Sequence, residues 1–274
     1  MDRLDRLGWA AGISIKSYGV RVGIRTNDAA ILRVLMNHLP PGWQPSEKLT
    51  VERLYSLFTG GQGAQRRVRR FNLLYGDIER LARSVELEEV CEALESDLQL
   101  YVAEAARGRV FVHAGVVGWR GRAIIMPGRS FSGKTTLTAE LVRRGALFYS
   151  DEYAVLDARG RVHPFPKPLA IREQGKERQR KYAAAELGGT VGTRALPVGL
   201  VLLSEYRRGT GFRPHQLSAG QGMLAMMAHA VSARRQPEKV LETLRQVVMS
   251  APVLKGTRGE ASDTIDFILK RIEQ

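Results

Sequence analysis

A single cysteine, Cys91, is present in the 274 residues, so no internal disulfide can form and a reducing compartment suits the chain. Aromatic residues make up only 7%, and few of them interleave with basic clusters as in the stacking platforms that grip single-stranded nucleic acid. No uncharged apolar run reaches the roughly 18 residues of a membrane span. The N-terminus, Met1-Asp2-Arg3-Leu4-Asp5-Arg6, carries charges where a secretion signal needs an apolar segment. A soluble cytoplasmic protein with no membrane partner is the resulting expectation. Acidic residues are also scarce, 28 against 42 basic ones, giving a formal net charge of +14 and an attraction for something anionic. The excess is mostly arginine spread along the chain, with clusters at Arg66-Arg67, at Arg69-Arg70, and at Lys176, Arg178, Arg180 and Lys181. No nucleic-acid module accompanies them, so solvated faces and an anionic substrate account for the charge more simply than nucleic acid does.

What is there describes a packed protein, with 44% hydrophobic residues. Ile13 to Thr26 reads as a strand or hairpin around Ser17-Tyr18-Gly19. Asn27 then caps a helix bearing Ile31, Leu32, Leu35 and Leu39. Strands over Leu49 to Phe58 and Arg67 to Leu74 flank the loop Thr59-Gly60-Gly61-Gln62-Gly63, predicting an α+β domain over 1–82. From residue 83 a second domain opens on a helix with Leu87, Val90, Cys91, Leu94, Leu98 and Val102 facing a core, stopped at Gly108. Strands and helices then alternate: Val110 to Val117, Ala123 to Met126, a helix from Lys134, Leu147 to Tyr149, Val198 to Leu203, and helices from Ala219, Pro237 and Ser262. That order predicts an α/β core.

Gly128-Arg129-Ser130-Phe131-Ser132-Gly133-Lys134-Thr135 satisfies G-x-x-x-x-G-K-[ST] at every fixed position. It follows the apolar Ala123-Ile124-Ile125-Met126 and precedes Leu137, Leu141 and Val142 at helical spacing, the strand, loop and helix order of a P-loop. Gly128 and Gly133 permit a backbone whose N–H groups converge on phosphate, aided by the helix N-terminus. Lys134 neutralises the β- and γ-phosphates and Thr135 ligates Mg²⁺, with Ser130, Ser132 and Thr136 placed to hold the phosphate chain.

After Ala146-Leu147-Phe148-Tyr149 comes Ser150-Asp151-Glu152, two carboxylates at the C-terminal end of a strand. Either can approach Mg²⁺, and Asp151 can also take the proton of an acceptor hydroxyl. His113 lies in the otherwise apolar Val110 to Val117. Taken alone it reads as a core histidine; if its strand neighbours the loop's strand, it faces the same end and can orient Asp151.

Together His113-Ala114-Gly115, Gly128 to Thr136, Arg143-Arg144-Gly145, Ser150-Asp151-Glu152 and Pro164-Phe165-Pro166-Lys167-Pro168 resemble the HPr serine kinase/phosphorylase family. The likeness is nearest to the HPr-kinase-related proteins, which include lasso-peptide kinases, and is strongest over 109–175. It implies a core like that of phosphoenolpyruvate carboxykinase, ATP with Mg²⁺ as donor, a serine hydroxyl as acceptor and a tendency to form homo-oligomers. It also implies that Asp151 is the base, His113 the histidine beside it, and Lys134 and Thr135 the phosphate and metal groups. Glu152 where the family has aspartate, with Arg129 and Phe131 in the loop, argues against phosphorylase activity and against HPr as acceptor.

Arg172, after the proline-rich turn, is a further candidate for the γ-phosphate or an anionic acceptor. Glu205 is a candidate for the Mg²⁺ environment, and Lys255 and Arg258 for a base or phosphate contact. Ordinary solvation is the simpler state of these. The expected activity is an ATP-dependent kinase acting on a hydroxyl of a peptide, for instance a precursor peptide, a protein or a small molecule. The competing readings are a nucleotide-gated regulator without catalysis and a P-loop NTPase stimulated by nucleic acid.

Overall fold

The computed structural model describes residues 2–48, 50–60, 70–129, 132–172 and 179–273, and the chain divides into two units, Met1–Arg107 and Gly108–Gln274. In the first, α1 (Asp2–Asp5), β1 (Ala11–Ser17), β2 (Val20–Thr26), α2 (Ala29–Met36), β3 (Gln44–Pro45), β4 (Arg53–Phe58), β5 (Asn72–Gly76), β6 (Glu79–Ser84) and α3 (Leu87–Ala105) follow one another. The sheet runs β3-β1-β2-β4-β5-β6. Tyr18 and Gly19 both have positive φ, the conformation that joins β1 to β2 in a tight hairpin. α2 supplies the crossover that lets β4 lie parallel to β2. Its cap is Asp28, whose side chain accepts from the Ala30 N–H; the expected cap, Asn27, instead accepts from the Thr59 N–H and donates to the Thr59 carbonyl.

This unit extends to Arg107 rather than ending at 82, because α3 packs on it. Val90, Cys91, Leu94, Leu98 and Val102 share a core with Ile15, Val22, Ile24, Tyr55 and Leu74. Within that core His38 Nδ1 lies 2.9 Å from Glu95 Oε2, both side chains being largely shielded from solvent. Hydrogen bonds to Cys91 and Glu95 outweigh burial and raise the His38 pKa to about 9. A histidine that binds its proton more tightly when folded stabilises the fold most below its ordinary pKa of 6.5, and that contribution is lost as pH rises through 9. The first unit is therefore expected to lose on the order of 2 kcal/mol of stability between those limits. Urea titrations at several pH values would show it, and a His38→Gln variant with the same decline would refute the assignment.

The second unit contains β7 (Val110–Trp119), β8 (Arg122–Pro127), α4 (Lys134–Arg143), β9 (Leu147–Ser150), β10 (Tyr153–Leu156), β11 (Val162–His163), β12 (Leu169–Arg172), β13 (Gln179–Tyr182), a 3₁₀ turn (Ala184–Leu187), β14 (Val198–Tyr206), β15 (His215–Gln216), α5 (Ala219–Met227), α6 (Pro237–Ser250), β16 (Val253–Arg258) and α7 (Ala261–Glu273). Its main sheet is ordered β11-β10-β7-β8-β14-β16-β15, with β9 also paired to β7, while β12 and β13 form a separate ribbon. β8, β14 and β16 are parallel, and β7, β9, β10, β11 and β15 join antiparallel, so the α/β sheet is mixed.

Strand alternation covers both faces. Val116, Ile125, Val201 and Val253 join Met226, Val240, Leu244 and Val247 of α5 and α6 on one side. Val117, Ile124, Leu200, Leu202 and Leu254 join Leu137, Leu141, Ile265 and Ile268 of α4 and α7 on the other. This fixes the loop between β8 and α4 at the carboxyl ends of the three parallel strands, where ligand crevices form in such sheets. Among the described residues, no helix is long and apolar enough to cross a membrane.

Candidate functional site

Buried and half-buried groups converge where β8 ends. Gly128 leaves the strand with its N–H 3.3 Å from the His113 carbonyl, and a side chain there would lie 2.6 Å from Ser132 Oγ and 3.3 Å from the Lys134 stem. Gly133 caps α4 in the left-handed region, φ 85°, and a side chain would strike the Arg258 guanidinium. Gly133 is therefore required by conformation as well as space, and Gly128 by space alone. Lys134 begins α4 and donates from Nζ to the Arg129 carbonyl at 2.8 Å. Burial lowers its pKa, opposed by the carboxylates of Asp151 and Glu152. Ser132 Oγ is buried without a hydrogen-bond partner among the described residues, whereas Thr136 is exposed on the first turn of α4. Ser130 and Phe131 lie outside the described residues.

The acidic turn is built by Ser150, whose Oγ accepts from the N–H groups of both Glu152 and Tyr153 at 3.1 and 3.0 Å. It aims Asp151 at α4, where Thr135 Oγ1 donates to Asp151 Oδ2 at 2.6 Å. Burial raises the Asp151 pKa to about 6, against the lowering effects of the Thr135 hydrogen bond and the Lys134 charge. Its Oδ1 is buried and has no hydrogen bond of normal geometry among the described residues, although Thr138 lies near enough to favour its charged form. Gly115 of β7 makes room for both, since a side chain there would strike Thr138 and lie 3.5 Å from Asp151 Oδ1.

β7 does neighbour β8, and His113 Nδ1 sits 2.9 Å from the Gly128 carbonyl. The ring does not orient Asp151, however: its Nε2 is 3.4 Å from Glu152 Oε1. Burial would raise the Glu152 pKa, but His113, with Lys167 and Lys134, outweighs it and holds the group below its ordinary value. The two carboxylates thus differ, Glu152 firmly ionised and Asp151 poised nearer neutrality.

Thr135 and Asp151 bring oxygen atoms of the kind Mg²⁺ accepts to the start of α4, while among the described residues no three His, Cys, Asp or Glu side chains cluster as a metal site. Beside it opens a cleft of about 740 Å³ whose lining runs from Gly128, Arg129 and Ser132 along β14 and β16 to Glu205, Arg213 and Lys255. Asp151 and Glu152 lie on the β7 side of β8, the cleft on the β14 side. Glu205 and Lys255 are exposed in that cleft, as ordinary solvation implies, but Arg258 is not solvated: it is 1% exposed.

Arg172 ends β12 in the separate ribbon, and its side chain lies outside the described residues, as do Arg66, Arg67, Arg69, Lys176 and Arg178. His229, which no sequence pattern marks, lines the cleft and lends its carbonyl to the His113 N–H at 2.8 Å. Burial, reinforced by His113, Lys134 and Arg129, lowers its pKa. No family model and no curated protein matches the chain.

Proposed function

We propose that the second unit is a kinase in which residues 128–135 act as a P-loop, holding the triphosphate of ATP while the γ-phosphoryl group passes to a serine or similar hydroxyl of a peptide, protein or small molecule. The resemblance to HPr-kinase-related proteins supports this reading. The observation that carries it is the 2.6 Å contact of Thr135 with Asp151 at the N-terminus of α4, which joins a phosphate-binding helix end to a metal-binding and proton-accepting carboxylate.

In this reading the amides before α4 and the Lys134 ammonium bind the β- and γ-phosphates, and Thr135 and Asp151 hold Mg²⁺, with Glu152 behind them. The metal, when bound, draws charge from the phosphate oxygens. The nucleoside occupies the cleft on the β14 side, and the acceptor approaches from the side of Asp151. Asp151 takes the hydroxyl proton as the acceptor oxygen bonds to the γ-phosphorus and the bond to the β,γ-bridging oxygen breaks, releasing ADP. His113 keeps Glu152 ionised and ties it, through Gly128, to the loop. The first unit is assigned to acceptor recognition.

The test is γ-labelled ATP with Mg²⁺ and a panel of serine-containing peptides and small alcohols. Label on a hydroxyl supports the proposal. ATP binding without transfer to any acceptor, and with a partner response intact in Asp151→Asn, would favour the non-catalytic regulator instead.

A further inference from the structure

Arg258 closes β16 and is 1% exposed, a state arginine seldom adopts without a paired anion. Its Nη2 donates to the Gly133 carbonyl at 2.7 Å and its Nη1 to the Gly259 carbonyl at 3.0 Å, while Nε is buried with no hydrogen-bond partner among the described residues. The Tyr206 ring centre is 5.7 Å from the guanidinium carbon. Glu260 is the carboxylate that acts on it electrostatically. Among the described residues, Arg258 forms no ion pair with it, and Glu260 Oε1 accepts the Tyr206 hydroxyl at 2.7 Å. Two carbonyls supply only partial negative charge, so a nearly uncompensated cation stands directly behind the N-terminus of α4, where the helix dipole has the same sign.

The direction of its main contact has a consequence for the loop. The Gly133 carbonyl accepts both from Arg258 and from the Leu137 N–H. In a trans peptide that carbonyl and the Lys134 N–H point in opposite directions. Holding the carbonyl toward Arg258 therefore aims the Lys134 amide out of the N-terminus of α4, on the side where Gly128 and Ser132 lie. Gly133 and Arg258 fit one another across 125 residues of sequence, since any side chain at 133 would occupy the place of the guanidinium.

We propose that Arg258 is a positioning residue for polyphosphate: it fixes the Gly133–Lys134 peptide with its N–H facing the bound phosphates, and their negative charge compensates its own. The proposal rests on the reading of the loop as a phosphate site. Arg258→Met keeps most of the stem but removes the charge and the donors. It is expected to weaken binding of a fluorescent ATP analogue with Mg²⁺, and of inorganic tripolyphosphate, by about tenfold or more.

Melting of the ligand-free Met variant should stay near that of the wild type, because an uncompensated buried charge is removed together with its hydrogen bonds. Its tripolyphosphate-induced rise in Tm should shrink. Arg258→Lys, which keeps the charge but cannot span both carbonyls, should recover part of the affinity. A purely structural clamp gives the opposite pattern, ligand-free melting lowered and affinity unchanged, and that result overturns the proposal. If the Met variant does not fold, Arg258→Lys decides: about threefold weaker binding with unchanged ligand-free melting supports the proposal, and wild-type affinity overturns it. A wild-type chain that binds neither ATP nor tripolyphosphate would overturn the phosphate-site reading itself, and with it this proposal.

Discussion

Lys134→Ala is expected to weaken Mg²⁺·ATP binding by about 100-fold, the loss of two charge-assisted contacts at roughly 1.5 kcal/mol each. The amine is already in place. It lies at the first position of α4 and is held to the Arg129 carbonyl at 2.8 Å, so its stem needs no large rearrangement to meet an anion at the helix end. Burial disfavours its charge, yet Asp151 and Glu152 favour it. Removing it leaves Asp151 without a cation that holds its carboxylate ionised, so nucleotide and metal affinity fall together. Titration of a fluorescent ATP analogue measures the effect, and Lys134→Arg should recover only part of it because a planar guanidinium does not reproduce a compact point charge. Binding by Lys134→Ala within threefold of the wild type would remove the loop from the phosphate site.

How far such a site can be seen in a sequence depends on how locally it is built. Gly128 to Thr135 stands in eight consecutive residues between an apolar run and a helical pattern, so β8 and α4 follow from pattern alone, although the Arg258 side chain that fills the space beside Gly133 does not. Asp151 is nearly as legible, because the short α4 and β9 return the chain to the same end of the sheet. The partner of His113 was not. Adjacency of β7 and β8 brings the histidine to the loop, but whether it meets Asp151 or Glu152 is decided by the Ser150 turn, which points successive side chains in different directions.

His229 was beyond reach, and Arg258, a candidate for a base or phosphate contact, was expected to be solvated rather than buried. A charged residue after Val253-Leu254 looks like any solvated strand end until the Gly133 carbonyl, far away in sequence, is placed beside it. The same limit explains the domain boundary. The apolar stripe of α3 shows that the helix is buried, not which sheet it covers, and the contacts with Ile15, Tyr55 and Leu74 that assign it to the first unit are all long-range. The mixed sheet of the second unit was only partly legible for a related reason: β8, β14 and β16 carry the parallel α/β pattern, whereas the antiparallel strands beside them are specified by pairing rather than by periodicity.

Asp151→Asn is expected to separate chemistry from binding most sharply. Asparagine keeps the size of the side chain and can still accept from Thr135 Oγ1, but it offers Mg²⁺ an amide oxygen in place of a carboxylate, so transfer is to be compared at saturating nucleotide and Mg²⁺. It cannot take a hydroxyl proton, and phosphoryl transfer should fall by about 10³-fold or more. The wild type should also show an acidic limb in kcat/KM, with activity rising with pH through about 6, because burial raises the Asp151 pKa to that value in the free protein and only the ionised carboxylate can act as base. With nucleotide and metal bound, the added positive charge of the metal favours ionisation, so the limb in kcat should move to lower pH than the limb in kcat/KM. Glu152 predicts no such limb near 6, since His113 holds it below its ordinary value. Rates measured from pH 5 to 8 for the wild type and the Asn variant therefore assign the base: a limb near 6 that persists undiminished in Asp151→Asn, or transfer retained within tenfold, would place the proton acceptor elsewhere.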